Sequence, residues 1–319
     1  MGYGNYDLQA HIAATKARAT RSADEIFTQN DCHPSMNPRG VKAREARDSD
    51  THPDSVGVVF ALDVSGSMGA IPQQLATKTM PTFMQAAMAV VPDPQVLFIA
   101  FGNVWADRSP LQVGQFESEA ALIDKWLAAT HLEGGGGGVG ESYDLAMYFA
   151  ARHTAMDCLL KRNRKGYFFM TGDEPPFLAV DRGKVLGLIG DQISEDIAIH
   201  DMVDELAKSF HPFFLFPDPQ RAAESDYRKT WEMLLHERVI VLADPEDTAV
   251  ACAALIAIQE GKATDPDAIA KLLETNLGRT GKARDRVVKA VAPYAAALAK
   301  GPIAGAQALF RRPPSSHQG

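Results

Sequence analysis

Residues 57–69 read Gly-Val-Val-Phe-Ala-Leu-Asp-Val-Ser-Gly-Ser-Met-Gly. Residues 58–62 are a short, continuous apolar run, which is typical of a central parallel strand covered on both faces. The run passes directly into Asp63, Ser65 and Ser67 at alternate positions. Oxygen donors gathered on one turn suit a hard divalent cation, Mg²⁺ before Ca²⁺ or Mn²⁺. The turn also follows the carboxyl end of a predicted strand, where open α/β sheets bind their ligands.

Two later segments accompany this motif. Residues 165–174 form an apolar run that ends in Thr-Gly-Asp173-Glu, and residues 134–138 are five glycines followed by Val-Gly-Glu141 and an apolar-periodic helix. With Asp-x-Ser-x-Ser, these segments resemble the von Willebrand factor type A (VWA) domain and its metal-ion-dependent adhesion site (MIDAS). The resemblance covers roughly residues 55–260. It implies a Rossmann-like fold and a bound divalent cation.

The resemblance also implies a role for each site residue. In the family both serines of the first motif coordinate the metal directly, so Ser65 and Ser67 become ligands and Asp63 the carboxylate that anchors from close by, often through water. Asp173 takes the place of the third-motif carboxylate. The family usually has a threonine in the middle motif, and matching the following helix puts Glu141 there. A carboxylate at that position would make the metal a weaker electrophile toward a partner's acidic side chain.

Simpler structural roles are open for the same residues. Asp63 and the serines could cap the helix that follows them, and Asp173 could be a turn residue at a strand end. Glu141 could be a first-turn glutamate placed favourably against the helix dipole, with Ser142 as the alternative hydroxyl donor. Against these readings, two carboxylates brought together repel each other and raise one pKa, so a cation is their natural neutraliser.

The glycine run does not favour nucleotide binding. Neither a Gly-Lys-Ser/Thr sequence nor a Gly-x-Gly-x-x-Gly directly after a strand accompanies it, and both are the usual signs of a phosphate-binding loop. We expect a flexible loop over the metal instead.

Strand and helix signals alternate along the core, which predicts an α/β fold with a doubly wound, mostly parallel sheet flanked by helices. We expect an N-terminal extension (1–54), a VWA domain (55–260) and a C-terminal helical tail (261–319). The extension is crowded with polar residues and proline, and residues 44–53 are too polar to fold alone; they would wrap the domain edge or present a partner-binding segment. The predicted strands are 57–62, 95–101, 166–171, 211–216 and 238–242, with a short edge strand at 111–113. The predicted helices are 71–91, 117–129, 141–156, 199–209, 226–235, 246–260, 266–277 and 282–300.

Composition limits the partners and the cellular compartment that we expect for the chain. The 319 residues carry a net charge of −8, which argues against a nucleic-acid partner, and the basic cluster at 161–165 is interpreted as a solvated turn. No apolar run reaches 18 residues, so we expect no membrane span. The N-terminus does not resemble a signal peptide. Three cysteines, without metal or disulfide spacing, favour a reduced cytoplasmic setting, as in intracellular bacterial VWA proteins.

Three functions compete at this point. The first is a non-catalytic protein-binding module, in which an acidic side chain of a partner completes the metal's coordination. The second is a metal-dependent hydrolase such as a phosphatase, although residue 65 is Ser where haloacid-dehalogenase phosphatases place their second Asp. The third, from family resemblance alone, is an accessory subunit of an AAA+ ATPase.

Overall fold

The structure is a computed structural model that describes residues 6–69, 71–74, 80–134, 139–224 and 226–306. The strands in this part of the chain are β1 (Arg44–Ala46), β2 (Val56–Asp63), β3 (Pro94–Phe101), β4 (Leu111–Val113), β5 (Thr154–Met156), β6 (Gly166–Thr171), β7 (Ala179–Val180), β8 (Ile197–Ala198), β9 (Phe210–Phe216) and β10 (Val239–Val241). The helices are α1 (Leu8–Ala19), α2 (Ala23–Ile26), α3 (Ile71–Gln74), α4 (Met80–Val90), α5 (Ala120–Ala128), α6 (Tyr143–Arg152), α7 (Asp157–Arg162), α8 (Arg182–Leu188), α9 (Ile199–Ser209), α10 (Pro219–Glu224), α11 (Tyr227–Leu235), α12 (Thr248–Gln259), α13 (Pro266–Leu277) and α14 (Gly281–Leu298).

The central sheet has the strand order β10-β9-β6-β2-β3-β4. The first five of these strands are mutually parallel, and β4 pairs antiparallel to β3 at the edge. From β2 the chain first builds β3 and β4 on one side and later β6, β9 and β10 on the other. The strand order therefore reverses at β2 and β6, and such a switch point is where doubly wound sheets bind ligands.

The alternation of side chains along β2 divides the core into two layers. Val58, Phe60 and Leu62 face one layer, which also contains buried side chains of α4, α12, α13 and α14. Val59 and Ala61 face the other layer, with side chains of α6, α9 and α11. Every residue of β2 is buried, as a strand covered by helices on both faces requires. The predicted α/β doubly wound fold is therefore confirmed.

All five predicted core strands and the antiparallel edge strand are present, but the helix predicted at 141–156 is wrong at its end. It stops at Arg152, and Thr154–Met156 forms β5, which pairs in parallel with Arg44–Ala46. The N-terminal extension thus has a strand where its sequence shows no strand periodicity. Each of these strands is only three residues long, so its pairing depends on a distant segment rather than on local pattern.

The region predicted as one helix at 71–91 contains α3 and α4, and residues 75–79 between them lie outside the described residues. The C-terminal helices pack on the core: Val287, Val291 and Tyr294 are buried in the layer that contains α12. Glycines 135–138 of the glycine run and the tail from Arg311 also lie outside the described residues. In the part of the chain that the structure describes, no helix is long and apolar enough to cross a membrane.

Candidate metal centre

Asp63 is the last residue of β2, and the two serines follow it on a tight 3₁₀ turn at residues 66–68. The backbone N–H of Ser65 donates to Asp63 Oδ1 at 2.9 Å. The Ser65 and Ser67 hydroxyls lie 3.0 Å apart. Asp63 and Ser65 are buried, whereas Ser67 is exposed. The side-chain oxygens of the first motif therefore converge, and Ser67 opens to solvent.

Asp173 reaches the same place from β6. Leu62 of β2 pairs with Thr171 of β6, so the two strands end level and the residues after them meet at the same edge of the sheet. The Ser67 hydroxyl donates to Asp173 Oδ1 at 2.9 Å. The first and third motifs therefore lie together, as the sequence predicts, although their strands are far apart in the chain.

Tyr143, the first residue of α6, closes the inner side of this group. Its hydroxyl donates to Asp63 Oδ2 at 3.3 Å, and its ring is fully buried. The ring packs against Phe101, Phe214 and Trp231. A Cβ added to Gly172 would lie 1.7 Å from the Tyr143 hydroxyl. Glycine in the Thr-Gly-Asp sequence is therefore needed to admit the tyrosine, a contact that the sequence did not predict.

Glu141 lies just before α6, so it is not a first-turn residue of that helix. It forms an isolated parallel bridge to Pro176, and its N–H donates to the carbonyl of Pro175 at 3.2 Å. Its side chain is buried, and its Oε2 atom has no hydrogen-bond partner among the described residues. The bridge places Glu141 beside the loop that carries Asp173.

Ser142, the alternative middle donor, is used to hold a neighbouring loop. Its hydroxyl accepts a hydrogen bond from the N–H of Val104 at 2.9 Å, and its own N–H donates to the carbonyl of Gly102 at 3.0 Å. The Asn103 amide in turn donates to the carbonyl of Gly140 at 2.9 Å. The loop after β3 therefore fixes the segment that contains Glu141.

The group gathers more carboxyl groups than positive charges. Burial raises the pKa of Asp63 to about 7, and the carboxylate of Asp173 adds to this rise. Burial, followed by the carboxylates of Asp63 and Glu174, raises the pKa of Glu141 to about 9. Both shifts have the direction expected when carboxylates share a buried site without enough positive charge.

The donor chemistry fits a hard divalent cation. Two carboxylates and two hydroxyls converge, and oxygen ligands are those that Mg²⁺, Mn²⁺ and Ca²⁺ prefer. Glu141 Oε2 and the buried Thr171 hydroxyl are unpartnered polar atoms in the same region of the described chain. Within the described ranges no three His, Cys, Asp or Glu side chains gather as a ligand group. The candidate ligand set therefore consists of Asp63, Asp173, Ser65 and Ser67. Glu141 lies near enough to interact with Asp63 and Asp173 electrostatically.

One further residue at this site was missed from the sequence. Arg221 of α10 places its Nε atom 3.4 Å from Asp173 Oδ2. Its position lies close to fifty residues from Asp173 in the chain and carries no motif. Only the ordering of β9 beside β6 brings the segment after β9 to this edge.

No protein-family model matches the chain, and no curated protein sequence matches it. Among solved structures, the open pilus adhesin SpaC from Lactobacillus rhamnosus GG is 14% identical and has a TM-score of 0.41, covering 71% of this chain and 31% of its own. A von Willebrand factor type A protein from Catenulispora acidiphila is 14% identical with a TM-score of 0.37, covering 73% and 52%.

The SpRpn10 VWA domain is 9% identical with a TM-score of 0.35, covering 61% of this chain and 94% of its own. The chain spans less than two thirds of the SpaC and Catenulispora structures. All three similarities are distant.

Proposed function

We propose that the chain is a non-catalytic, divalent-cation-dependent protein-binding domain of the VWA type with a MIDAS-like site. One observation carries the proposal: the Ser67 hydroxyl donates to Asp173 Oδ1 at 2.9 Å. This contact joins the two sequence motifs at the switch point of the sheet, where doubly wound folds bind ligands. The donor types and the clustering of carboxyl groups with raised pKa values support a cation there.

In this proposal Ser65, Ser67 and Asp173 hold the cation, and Asp63 anchors it from behind. Asp63 is kept in position by the N–H of Ser65 and the hydroxyl of Tyr143. When bound, a divalent cation supplies an electrophile that an acidic side chain of a partner protein can complete. Beside a bound cation an ionised Glu141 would add negative charge and so tune how strongly that partner is attracted.

The narrower parts of the proposal rest on the resemblance alone. They are a cytoplasmic setting, an assembly with a protein partner, and an AAA+ ATPase as one such partner. Mg²⁺ is the first expectation for the metal, with Mn²⁺ or Ca²⁺ as alternatives. The proposal assigns no catalytic residue. Turnover of phosphoesters with Mg²⁺ that Asp63→Asn abolishes would favour the hydrolase alternative instead.

The direct test is calorimetric titration of the EDTA-stripped protein with Mg²⁺, Mn²⁺ and Ca²⁺. We expect saturable binding by the wild type and none by Asp63→Asn. Asp201→Asn is the matched control, because Asp201 is also an aspartate but its side chain is 66% exposed on α9. Equal heats for the wild type and Asp63→Asn would refute the site.

A further inference from the structure

Arg221 faces the oxygen of Asp173 that Ser67 does not contact. Ser67 donates to Asp173 Oδ1, and the Nε atom of Arg221 lies 3.4 Å from Oδ2. The Arg221 side chain is 47% exposed, whereas that of Asp173 is 3% exposed. A half-exposed guanidinium thus reaches down to a buried carboxylate, and both carboxylate oxygens have a partner.

The serine hydroxyls extend this contact into a chain. The proton of Ser67 goes to Asp173, and the Ser65 hydroxyl lies 3.0 Å from that of Ser67. The contacts therefore run from Ser65 through Ser67 to Asp173, with Arg221 at the far end. The oxygens proposed to hold the cation satisfy one another, and Arg221 supplies a positive charge where the metal would supply its own.

We infer that Arg221 is an internal counter-ion that competes with the divalent cation for Asp173 and so sets how tightly the site holds metal. The inference rests on the proposed function, since it assumes that a cation binds. A cation that approaches Asp173 is repelled by the guanidinium, and that repulsion acts over a few ångströms near the surface. Because Arg221 is half-exposed, it can turn into solvent when the metal binds, at the cost of a surface ion pair.

The counter-ion role predicts the direction in which the affinity for Mn²⁺ changes. Arg221→Gln should tighten Mn²⁺ binding roughly three- to tenfold in calorimetric titration, because it removes the competing charge. Arg221→Lys, which keeps the charge, should stay within about twofold of the wild type. Arg228→Gln is the matched control, because Arg228 is 50% exposed and forms its ion pair with Glu232 on α11. It removes the same charge but should leave affinity within about twofold.

A second measurement needs no metal. In EDTA, a double-mutant cycle of Arg221→Gln and Asp173→Asn, followed by urea unfolding, should show favourable coupling between the two side chains. Circular dichroism confirms that each variant is folded. A coupling of zero, or a Mn²⁺ affinity of Arg221→Gln equal to or weaker than that of the wild type, would overturn the inference.

The two proposals can fail separately. Binding by the wild type that Arg221→Gln leaves unchanged removes the counter-ion role and keeps the metal site. Binding by Arg221→Gln but not by the wild type supports the counter-ion role in its strongest form. Absence of binding in the wild type and in Arg221→Gln alike removes both.

Discussion

The hydroxyl of Ser67 and the carboxylate of Asp173 form a 2.9 Å hydrogen bond between residues 106 positions apart. The contact exists because β2 and β6 are neighbours whose carboxyl ends coincide. Both strands are buried, so their register is set by the packing of two apolar faces. The sheet therefore places the two motifs side by side, as the proposed metal site requires.

The first prediction is that divalent cations stabilise the fold. Because the ligands come together only in the folded chain, a cation at about one hundred times its dissociation constant should add roughly 2.7 kcal/mol to the free energy of unfolding. Thermal melts in EDTA and in Mg²⁺ or Mn²⁺ measure this. Identical midpoints under all three conditions would contradict the metal site.

The second prediction separates the metal role of Asp63 from its structural role. Asp63 is fully buried and accepts hydrogen bonds from Ser65 and Tyr143. Asp63→Asn keeps a similar shape and an acceptor oxygen, so it should fold and lose metal binding. Asp63→Ala leaves buried donors without a partner and should lower the free energy of unfolding in EDTA by about 1–3 kcal/mol. Urea unfolding measures both variants.

An outcome in which Asp63→Asn binds Mn²⁺ as tightly as the wild type would reduce Asp63 to a turn-capping residue. Asp201→Asn, on an exposed part of α9, controls for the loss of one negative charge.

The strands and the pairing of the two motifs could be predicted, because continuous apolar runs such as residues 58–62 report a buried strand directly. The partners of the site could not. Tyr143 and Arg221 reach it through helix packing and strand order, and no local pattern records either. The sequence interpretation of the basic cluster at 161–165 as a solvated turn is incomplete, because Arg162 binds Asp48 of the N-terminal extension at 2.8 Å. Such charge pairing depends on the tertiary fold.

The third prediction concerns that anchor. Arg162 donates to both carboxylate oxygens of Asp48, at 2.8 and 3.1 Å, and to the carbonyl of Ser55 at 2.7 Å. Arg162→Ala should lower the free energy of unfolding by about 1–2 kcal/mol and speed proteolysis before β2. Lys161→Ala is the control, because Lys161 also contacts Asp48 but its side chain is 56% exposed. Equal effects of the two substitutions would contradict a specific Arg162 anchor.

The same anchor predicts a pH dependence. Hydrogen bonds from Arg162 hold the pKa of Asp48 well below its usual range. In that case the unfolded chain takes up the proton first as pH falls. The stability that Asp48 contributes is therefore present above about pH 4 and is lost below it. Between pH 6 and pH 3 the free energy of unfolding, measured with urea, should fall less steeply in Asp48→Asn than in the wild type. Parallel curves for the two proteins would exclude this contribution.

The last prediction concerns Glu141, which stands where the VWA motif that the sequence resembles usually has a threonine. Glu141 is buried and its Oε2 is unpartnered among the described residues. Burial, followed by the carboxylates of Asp63 and Glu174, raises its pKa. In EDTA at pH 7 the buried Glu141 side chain is protonated, whereas the unfolded chain ionises it. Glu141→Gln removes the free-energy cost of this proton uptake and should raise the free energy of unfolding by about 1 kcal/mol. The same change should weaken Mn²⁺ binding, because the cation can no longer displace the Glu141 proton and gain a negative charge beside it.

A higher free energy of unfolding together with a lower Mn²⁺ affinity indicates an electrostatic effect. A packing defect would lower both quantities. Glu141→Thr supplies the neutral hydroxyl that the family usually has, and it should strengthen capture of an acidic partner by the metal-loaded protein. Glu195→Gln, at an exposed position, controls for the loss of one carboxylate and should change neither measurement. If Glu141→Gln changes neither the free energy of unfolding in EDTA nor the Mn²⁺ affinity, like Glu195→Gln, then Glu141 does not interact with the metal. The middle donor is then a backbone carbonyl or water.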